Sequence, residues 1–83
     1  MKNCLITFRS VTPAQRGEAL LRRIGYQCSL RRTPRWMEEQ GCGYSLQVRY
    51  EDAGAAAQVL RSHRLPFQKI YLWQDGEIQE LNL

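Results

Sequence analysis

The sequence predicts a small α+β domain, a ferredoxin-like βαββαβ sandwich with two helices packed on one face of a four-stranded antiparallel sheet. Its length of 83 residues suits one domain, so we expect residues 1–83 to fold as a single unit. Four segments show the patterns of strands and two show helical periodicity, in the order strand, helix, strand, strand, helix, strand. A helix crossover in each half and a hairpin between the halves produce this topology.

The first strand and the first helix are predicted in the first third of the chain. Residues 4–10 are apolar on both faces at first, which is typical of a central strand. Thr12 is expected to cap the helix, with Pro13 at its first position and Gln15 completing a Thr-x-x-Gln capping box. Apolar residues then recur at helical spacing, and Gly25 is expected to end the helix.

The remaining core elements follow in the same order. Residues 27–32 are predicted to form the second strand, and residues 44–50, which alternate strictly between apolar and polar, the third. Asp52 is expected to cap the second helix and Pro66 to stop it. The fourth strand is predicted at residues 68–73.

The C-terminal residues 74–83 extend beyond this core. They contain the tight-turn dipeptide Asp75-Gly76, so residues 77–81 are a candidate for a short C-terminal hairpin arm.

Composition limits the classes of function. Hydrophobic residues make up 43% of the chain and charged residues 24%, as in a globular protein. Its apolar runs are shorter than a membrane span or a signal-peptide core, so we expect a cytoplasmic protein with reduced thiols and no membrane contact. Three cysteines and one histidine at scattered positions predict neither a disulfide framework nor a metal site, and no cofactor is expected.

Charge is distributed unevenly along the chain. Residues 1–35 contain eight Lys or Arg against one acidic residue, whereas residues 36–83 contain four against seven. The basic half could attract anions, nucleic acid or an acidic protein partner. The alternative is a solvated helix face together with ordinary edge-strand arginines.

The predicted strand directions bring three connections to one end of the domain. The first two strands run in parallel and the third runs against them, so residues 10–13, 33–43 and 63–67 gather there. Cys42 lies in this region between Gly41 and Gly43, which leave little side-chain cover over its sulfur.

The surroundings of Cys42 favour a reactive thiol. The first helix directs its N-terminus to this end, and several arginines can reach it (Arg9, Arg32, Arg35 and Arg64). Both influences lower the pKa of a thiol from about 8.5 and favour the thiolate, which attacks sulfane sulfur or carries a persulfide or selenide. The alternative is a small turn residue with no chemical role.

Other chemically notable residues have simpler interpretations. Cys4 and Cys28 occupy inward strand positions and are expected to be small core residues. His63 is expected to be a solvated residue near a helix end, although the topology lets it approach the reactive thiol. Trp36 and Trp73 either cover the core or form a contact patch for a partner.

Several motifs resemble a known family of small bacterial proteins, the Se/S (selenium/sulfur) carrier protein-like family, over about residues 3–73. They are Phe8-x-Ser10, Leu20-Leu21 before Gly25, Thr33-Pro34-Arg35, and Cys42-Gly43 at the start of a strand. The chain departs from the family pattern at Gln40 and Gly41, where serines are common, and at Arg32, where proline is common.

The resemblance implies that Cys42 is the carrier thiol and holds sulfur or selenium as a cysteine adduct. The matching motif positions, which would support the thiolate, are Ser10, Thr33, Pro34, Arg35 and Gly43. Neighbours of a more speculative kind are Arg9, His63 and Arg64. The implied partners are a cysteine desulfurase-type donor and an unknown acceptor protein. The chain offers no pair of general acid and base carboxylates and no cofactor loop, so we expect a carrier and not an enzyme.

Two other functions remain open at this point. A regulatory or interaction module could pair through its exposed sheet edges with another chain, including a second copy in a homodimer. An RNA-binding module shares the topology, and Gly41, Gly43 and Tyr44 match its third-strand motif. However, Cys42 and Gln47 replace the stacking aromatic residues, so nucleic acid is not the expected partner.

Overall fold

The computed structural model describes residues 2–33 and 43–82, which contain two helices and five strands. The elements are β1 (Asn3–Thr7), α1 (Val11–Ile24), β2 (Cys28–Arg32), β3 (Tyr44–Arg49), α2 (Ala53–Ser62), β4 (Ile70–Gln74) and β5 (Glu77–Leu81). A short 3₁₀ turn, Tyr50–Asp52, leads into α2. The predicted α+β class, with two helices and an antiparallel sheet, is therefore confirmed.

The described strands form one antiparallel sheet in the order β2-β3-β1-β4-β5. The central strand, β1, pairs with β3 on one side and with β4 on the other. The prediction of four strands is wrong, because β5 pairs with β4 along its whole length, from Gln74 opposite Glu77 to Ile70 opposite Leu81. The ferredoxin-like assignment itself stays a prediction.

The hairpin forms because its turn has the geometry that a two-residue loop requires. Asp75 has a φ of 52° and Gly76 a φ of 78°. Positive φ at both central residues gives a turn whose twist matches that of the flanking strands. The strand that follows then covers the outer edge of β4, and so the predicted arm becomes a full strand.

The core lies between the helices and one face of the sheet. Cys4 and Ile6 of β1 and Phe8, directly after the strand, lie on this face, and all three are fully buried. They join one apolar cluster with residues of both helices and of the neighbouring strands: Ala14, Leu21, Cys28, Leu46, Val48, Ala53, Ala56, Ala57, Leu60 and Ile70. Both helices therefore pack on the same face of the sheet.

Helix α1 begins earlier than the sequence predicts. Its N-cap is Ser10, in an extended conformation, and Val11 is its first residue, so Thr12 is not the cap. No side-chain hydrogen bond caps this helix, and the predicted capping box is wrong. Pro13 fits within the first turn because the N–H groups there have no intrahelical partner. Gly25 ends the helix as predicted, with a φ of 115°.

Helix α2 has the predicted N-cap residue and an earlier end. Asp52 is the N-cap, but its carboxylate pairs with Arg49, with Oδ2 at 3.2 Å from Nε, and forms no capping hydrogen bond. The helix ends at Ser62, before Pro66. Arg64 then adopts a positive φ of 55°, which turns the chain towards β4. Neither described helix is long and apolar enough to cross a membrane.

Candidate functional site

The strand directions bring several predicted site residues to one end of the sheet. We call this the loop end, and define it by Thr7, Thr33, Gly43 and Lys69. Thr7 ends β1 and Thr33 follows β2, and both strands run towards this end. Gly43 precedes β3 and Lys69 precedes β4, and both of these strands run away from it. Helix α1 has its N-terminus here, directly after Ser10.

A backbone hydrogen bond joins β2 and β3 at the loop end. The N–H of Thr33 donates to the carbonyl of Gly43 at 2.8 Å, which extends the ladder by one pair beyond Arg32 and Tyr44. Thr33 is buried, and Gly43 has a φ of 82°, a conformation that favours glycine. The structure thus brings together two of the predicted motif positions.

The other predicted site residues divide into two groups. Arg9, Ser10, His63 and Arg64 are exposed and lie at the loop end. His63 contacts its own helix, with Nδ1 at 3.0 Å from the carbonyl oxygen of Val59, which agrees with the expected helix-end role. The remaining predictions, Pro34, Arg35 and Cys42, lie outside the described residues, as does Trp36.

The loop end also contains two buried hydroxyl groups, those of Thr7 and Ser45, which were not predicted from the sequence as site residues. Thr7 Oγ1 accepts a hydrogen bond from the Lys69 N–H at 3.1 Å, so it helps to hold the start of β4. Ser45, opposite Thr7 in the register, is completely buried, yet its Oγ has no hydrogen-bond partner among the described residues. Its side chain lies on the sheet face away from the helices, because it alternates with Leu46 in β3. The alternation of β3 in the sequence could have indicated this position, because it places a serine on the sheet face away from the helices, two residues after Gly43.

The loop end is rich in positive charge. The described cations there are Arg9, Arg31, Arg32, Arg61, Arg64 and Lys69, and the described carboxylate there is Glu80, 3.7 Å from Lys69 Nζ. Two of the guanidinium groups lie over aromatic rings, Arg32 over Tyr44 at 5.5 Å and Arg61 over Phe67 at 5.1 Å.

At the opposite end, charges are balanced. The described cations Lys2, Arg22, Arg23 and Arg49 are matched in number by the carboxylates of Glu51, Asp52, Asp75 and Glu77, and Arg22 also pairs with Glu18. Arg49 alone contacts two of these carboxylates, at 3.3 Å and 3.2 Å. The described residues therefore place an excess of positive potential at the loop end, where it stabilises anions.

A surface groove of about 550 Å³ opens between the end of α2 and the start of β4. It combines two cationic side chains with apolar and amide groups: Arg61, Arg64, Leu65, Pro66, Phe67 and Gln68. Such a lining suits an anionic group attached to an apolar body. No cluster of three or more His, Cys, Asp or Glu able to hold a metal occurs within residues 2–33 and 43–82.

The two described cysteines are core residues, as predicted. Cys4 is fully buried, and burial raises the pKa of its thiol to about 11. The pKa of Cys28 is also raised to about 11, mainly by burial and further by the Glu18 carboxylate, against a lowering effect of Arg22. Both thiols are therefore protonated and shielded at neutral pH, and neither has the properties of a nucleophile.

A family model described as "Putative Se/S carrier protein-like" matches residues 3–72. The chain belongs to this family. The match confirms the resemblance seen in the sequence and ends within β4, so β5 lies beyond the residues that the Se/S carrier-like family model covers. No curated protein and no solved structure matches the chain.

Proposed function

We propose that this chain is a carrier that holds sulfur or selenium as an adduct on Cys42 and passes it between partner proteins in the cytoplasm. Family membership supports the carrier role. The observation that carries the choice of residue is the state of the other two cysteines. Cys4 and Cys28 are buried and have raised pKa values, so a carrier thiol in this chain falls to Cys42.

The chemistry of loading needs a thiolate and a sulfane sulfur. The Cys42 thiolate attacks the outer sulfur of a persulfide on a donor of the cysteine desulfurase type. A new S–S bond forms on Cys42, the donor's S–S bond breaks, and the donor cysteine leaves as a thiolate. Unloading is the same exchange with a nucleophile of the acceptor. No net oxidation or reduction occurs in either step.

The loop end favours the anionic forms in this cycle. Cys42 precedes Gly43 in the chain, and the described arginines and the N-terminus of α1 provide positive potential there. A persulfide is itself an anion at neutral pH, so the same potential supports the loaded form. Thr33 and Gly43 hold the starting point of β3 in place, and Pro34 and Arg35 are further motif positions by resemblance.

The orphan hydroxyl of Ser45 adds a donor to this proposal. It lies two residues after Gly43 and has no partner among the described residues. A hydroxyl that keeps its donor capacity can stabilise a nearby anion by a charge-assisted hydrogen bond. Such a donor would take the place of the serines that the family often has before its cysteine.

Intact-mass measurement tests the carrier function. The protein is incubated with a cysteine desulfurase and cysteine, then separated from small molecules. We expect a gain of one sulfur atom on the wild type and none on Cys42→Ser. A variant with Cys4→Ala and Cys28→Ala is expected to load as the wild type does. No gain on the wild type, or an equal gain on Cys42→Ser, would overturn the proposal.

Alkylation provides a second, independent readout. In the folded protein we expect iodoacetamide to modify Cys42 at neutral pH while Cys4 and Cys28 react only after unfolding, because burial keeps them protonated. Equal alkylation rates at all three cysteines would remove the physical basis for a carrier thiol at Cys42.

A further inference from the structure

The two outer strands of the sheet differ in their free backbone groups. On β2, the Leu30 N–H donates to Glu18 Oε2 at 2.7 Å, and Arg22 Nε donates to the Cys28 carbonyl at 2.9 Å. The two α1 side chains also pair with each other, with 3.6 Å between Arg22 Nη2 and Glu18 Oε2. Helix α1 thus occupies backbone groups that another strand would need, which is a common protection of an edge.

On β5, the outward backbone groups can be assigned from the turn. In a two-residue hairpin the closing pair, here Gln74 and Glu77, is hydrogen-bonded, and the pairs beyond it alternate. Ile78 and Glu80 therefore direct their N–H and C=O groups away from β4. No side chain of the described residues hydrogen-bonds to these groups, and β5 ends the sheet.

The surface of this edge is acidic at its turn end, and two grooves lie along it. Asp75, Glu77 and Glu80 are all exposed. A groove of about 280 Å³ near the turn is lined by Leu72, Gln74, Asp75, Glu77, Ile78 and Gln79. Another of about 290 Å³ lies near the end of β5, where Glu80 and Leu81 are joined by the cations Arg61 and Lys69, and Lys69 Nζ lies 3.7 Å from Glu80 Oε1. A strand added here would find main-chain partners, shallow apolar positions and carboxylates.

We propose that the outer edge of β5 binds an extended cationic segment of a partner protein, which adds to the sheet as a further strand. Lysine or arginine side chains of the segment meet Asp75 and Glu77 at the turn end, and apolar side chains next to them enter the groove there. This function is separate from the adduct on Cys42 and does not depend on it. It belongs to the part of the chain beyond residues 3–72, so it is an addition to the family core.

Charge argues against a second copy as the occupant. Pairing β5 with β5 of another copy would bring two acidic turn ends close together, and a register centred on Glu77 or on Glu80 would place that residue opposite its own copy, which is destabilising. The two residues are three apart and project from opposite faces, so each register opposes one of them. The β2 strand of another copy carries Arg31 and Arg32, but Glu18 and Arg22 occupy its outward groups.

Amide hydrogen exchange with a short blocked peptide of alternating lysine and valine tests the proposal. We expect the Ile78 and Glu80 amides of the full chain to exchange roughly tenfold more slowly, or slower still, when the peptide saturates the protein. The Leu30 amide, already bonded to Glu18, is expected to keep its rate. A matched peptide with glutamate in place of lysine, and one with N-methylated amides, are expected to leave all three rates unchanged.

Two variants keep the test falsifiable. Glu77→Lys is expected to weaken binding of the lysine peptide by roughly three- to tenfold, whereas Glu51→Lys, at an exposed position away from β5, is expected to leave it unchanged. Ile78→Pro removes an outward N–H without removing a bond to β4 and is expected to weaken binding as well.

Four results would overturn the proposal. They are the absence of peptide binding, equal binding of the glutamate peptide, slowed exchange at the arginine-rich loop end instead of β5, and concentration-dependent protection of Ile78 and Glu80 without peptide. The last result would assign the edge to a second copy.

Discussion

Replacing Ser45 with alanine tests whether its buried hydroxyl lacks a hydrogen-bond partner. If it does, the substitution should raise the stability of the fold. The side chain is completely buried, opposite Thr7 in β1 and Arg31 in β2, and Oγ has no hydrogen-bond partner among the described residues. A hydroxyl that leaves water without gaining a bond costs about 1–3 kcal/mol. Alanine removes that cost, but it has a lower strand propensity and leaves a small void, which together offset about 1 kcal/mol.

The expected net effect of Ser45→Ala is a stabilisation of roughly 1 kcal/mol. For a domain of this size, a urea m-value of about 1 kcal/mol/M converts this into a rise of about 1 M in the unfolding midpoint. Equilibrium unfolding followed by circular dichroism measures the change. The m-value is expected to stay constant, because the substitution alters neither the fold nor the surface exposed on unfolding.

Thr7→Val is the matched control across the same strand pair. The Thr7 hydroxyl is bonded to Lys69, and an isosteric methyl leaves the Lys69 N–H without that acceptor. We therefore expect Thr7→Val to lower the free energy of unfolding by about 1–2 kcal/mol. If Ser45→Ala is destabilising by a similar amount, its hydroxyl has a partner in solution and the reasoning is refuted. If the hydroxyl serves the adduct, Ser45→Ala is also expected to reduce sulfur loading despite its greater stability.

Three further outcomes are expected. In the folded state the thiol pKa of Cys4 and of Cys28 is about 11, above the ordinary value of 9.0. The contribution of these protonated thiols to the stability of the fold is therefore complete below pH 9 and is lost as the pH rises to 11. The free energy of unfolding from urea titrations should fall over that range by roughly 2–3 kcal/mol per thiol, and by less in a variant that replaces one of the two cysteines with alanine. An equal fall in the wild type and in these variants would contradict this. Gly17→Ala should destabilise the fold by about 1 kcal/mol, because the new Cβ would lie 3.0 Å from a Leu60 methyl group. Gly54→Ala, which has open space around the position, should stabilise it by about 0.5 kcal/mol. Thermal melts in which both variants shift the melting temperature in the same direction would refute this. Glu18→Ala should speed exchange of the β2 amide bonded to its carboxylate by roughly tenfold, and an unchanged rate would show that the bond is absent in solution.

Local chemistry made several structural features predictable. Gly25 ends α1 because glycine adopts the positive φ of a helix end, and Asp75-Gly76 forms the hairpin turn for a related reason. The start of α1 was less predictable, because Ser10 and Thr12 are both good caps and neither forms a capping hydrogen bond. The length of β5 depended on pairing with β4, which no local pattern contains.

Part of the candidate site was predictable from the sequence, and part was not. Strand directions alone indicated that the connections after β1 and β2 meet at one end, and Thr33 and Gly43 are indeed hydrogen-bonded there. Alternation in β3 indicated the face of Ser45 but not its complete burial or its missing partner, since both depend on neighbours distant in sequence. The role of Cys42 stays a prediction that the loading experiment tests.

The positions of the two proposed functions restrict how a partner could use both. In the sheet order, β5 is three strands away from β3, and an added strand would be four away. At about 4.8 Å per strand, a segment bound to β5 lies about 19 Å from the strand that follows Cys42. One protein can span that distance, with a cationic segment on the acidic β5 edge and an acidic surface towards the arginines of the loop end. Opposite charges at the two places would also orient the partner, because reversing it would bring like charges together. If one partner makes both contacts, Glu77→Lys should slow sulfur transfer from that partner and leave loading by small-molecule persulfides unchanged.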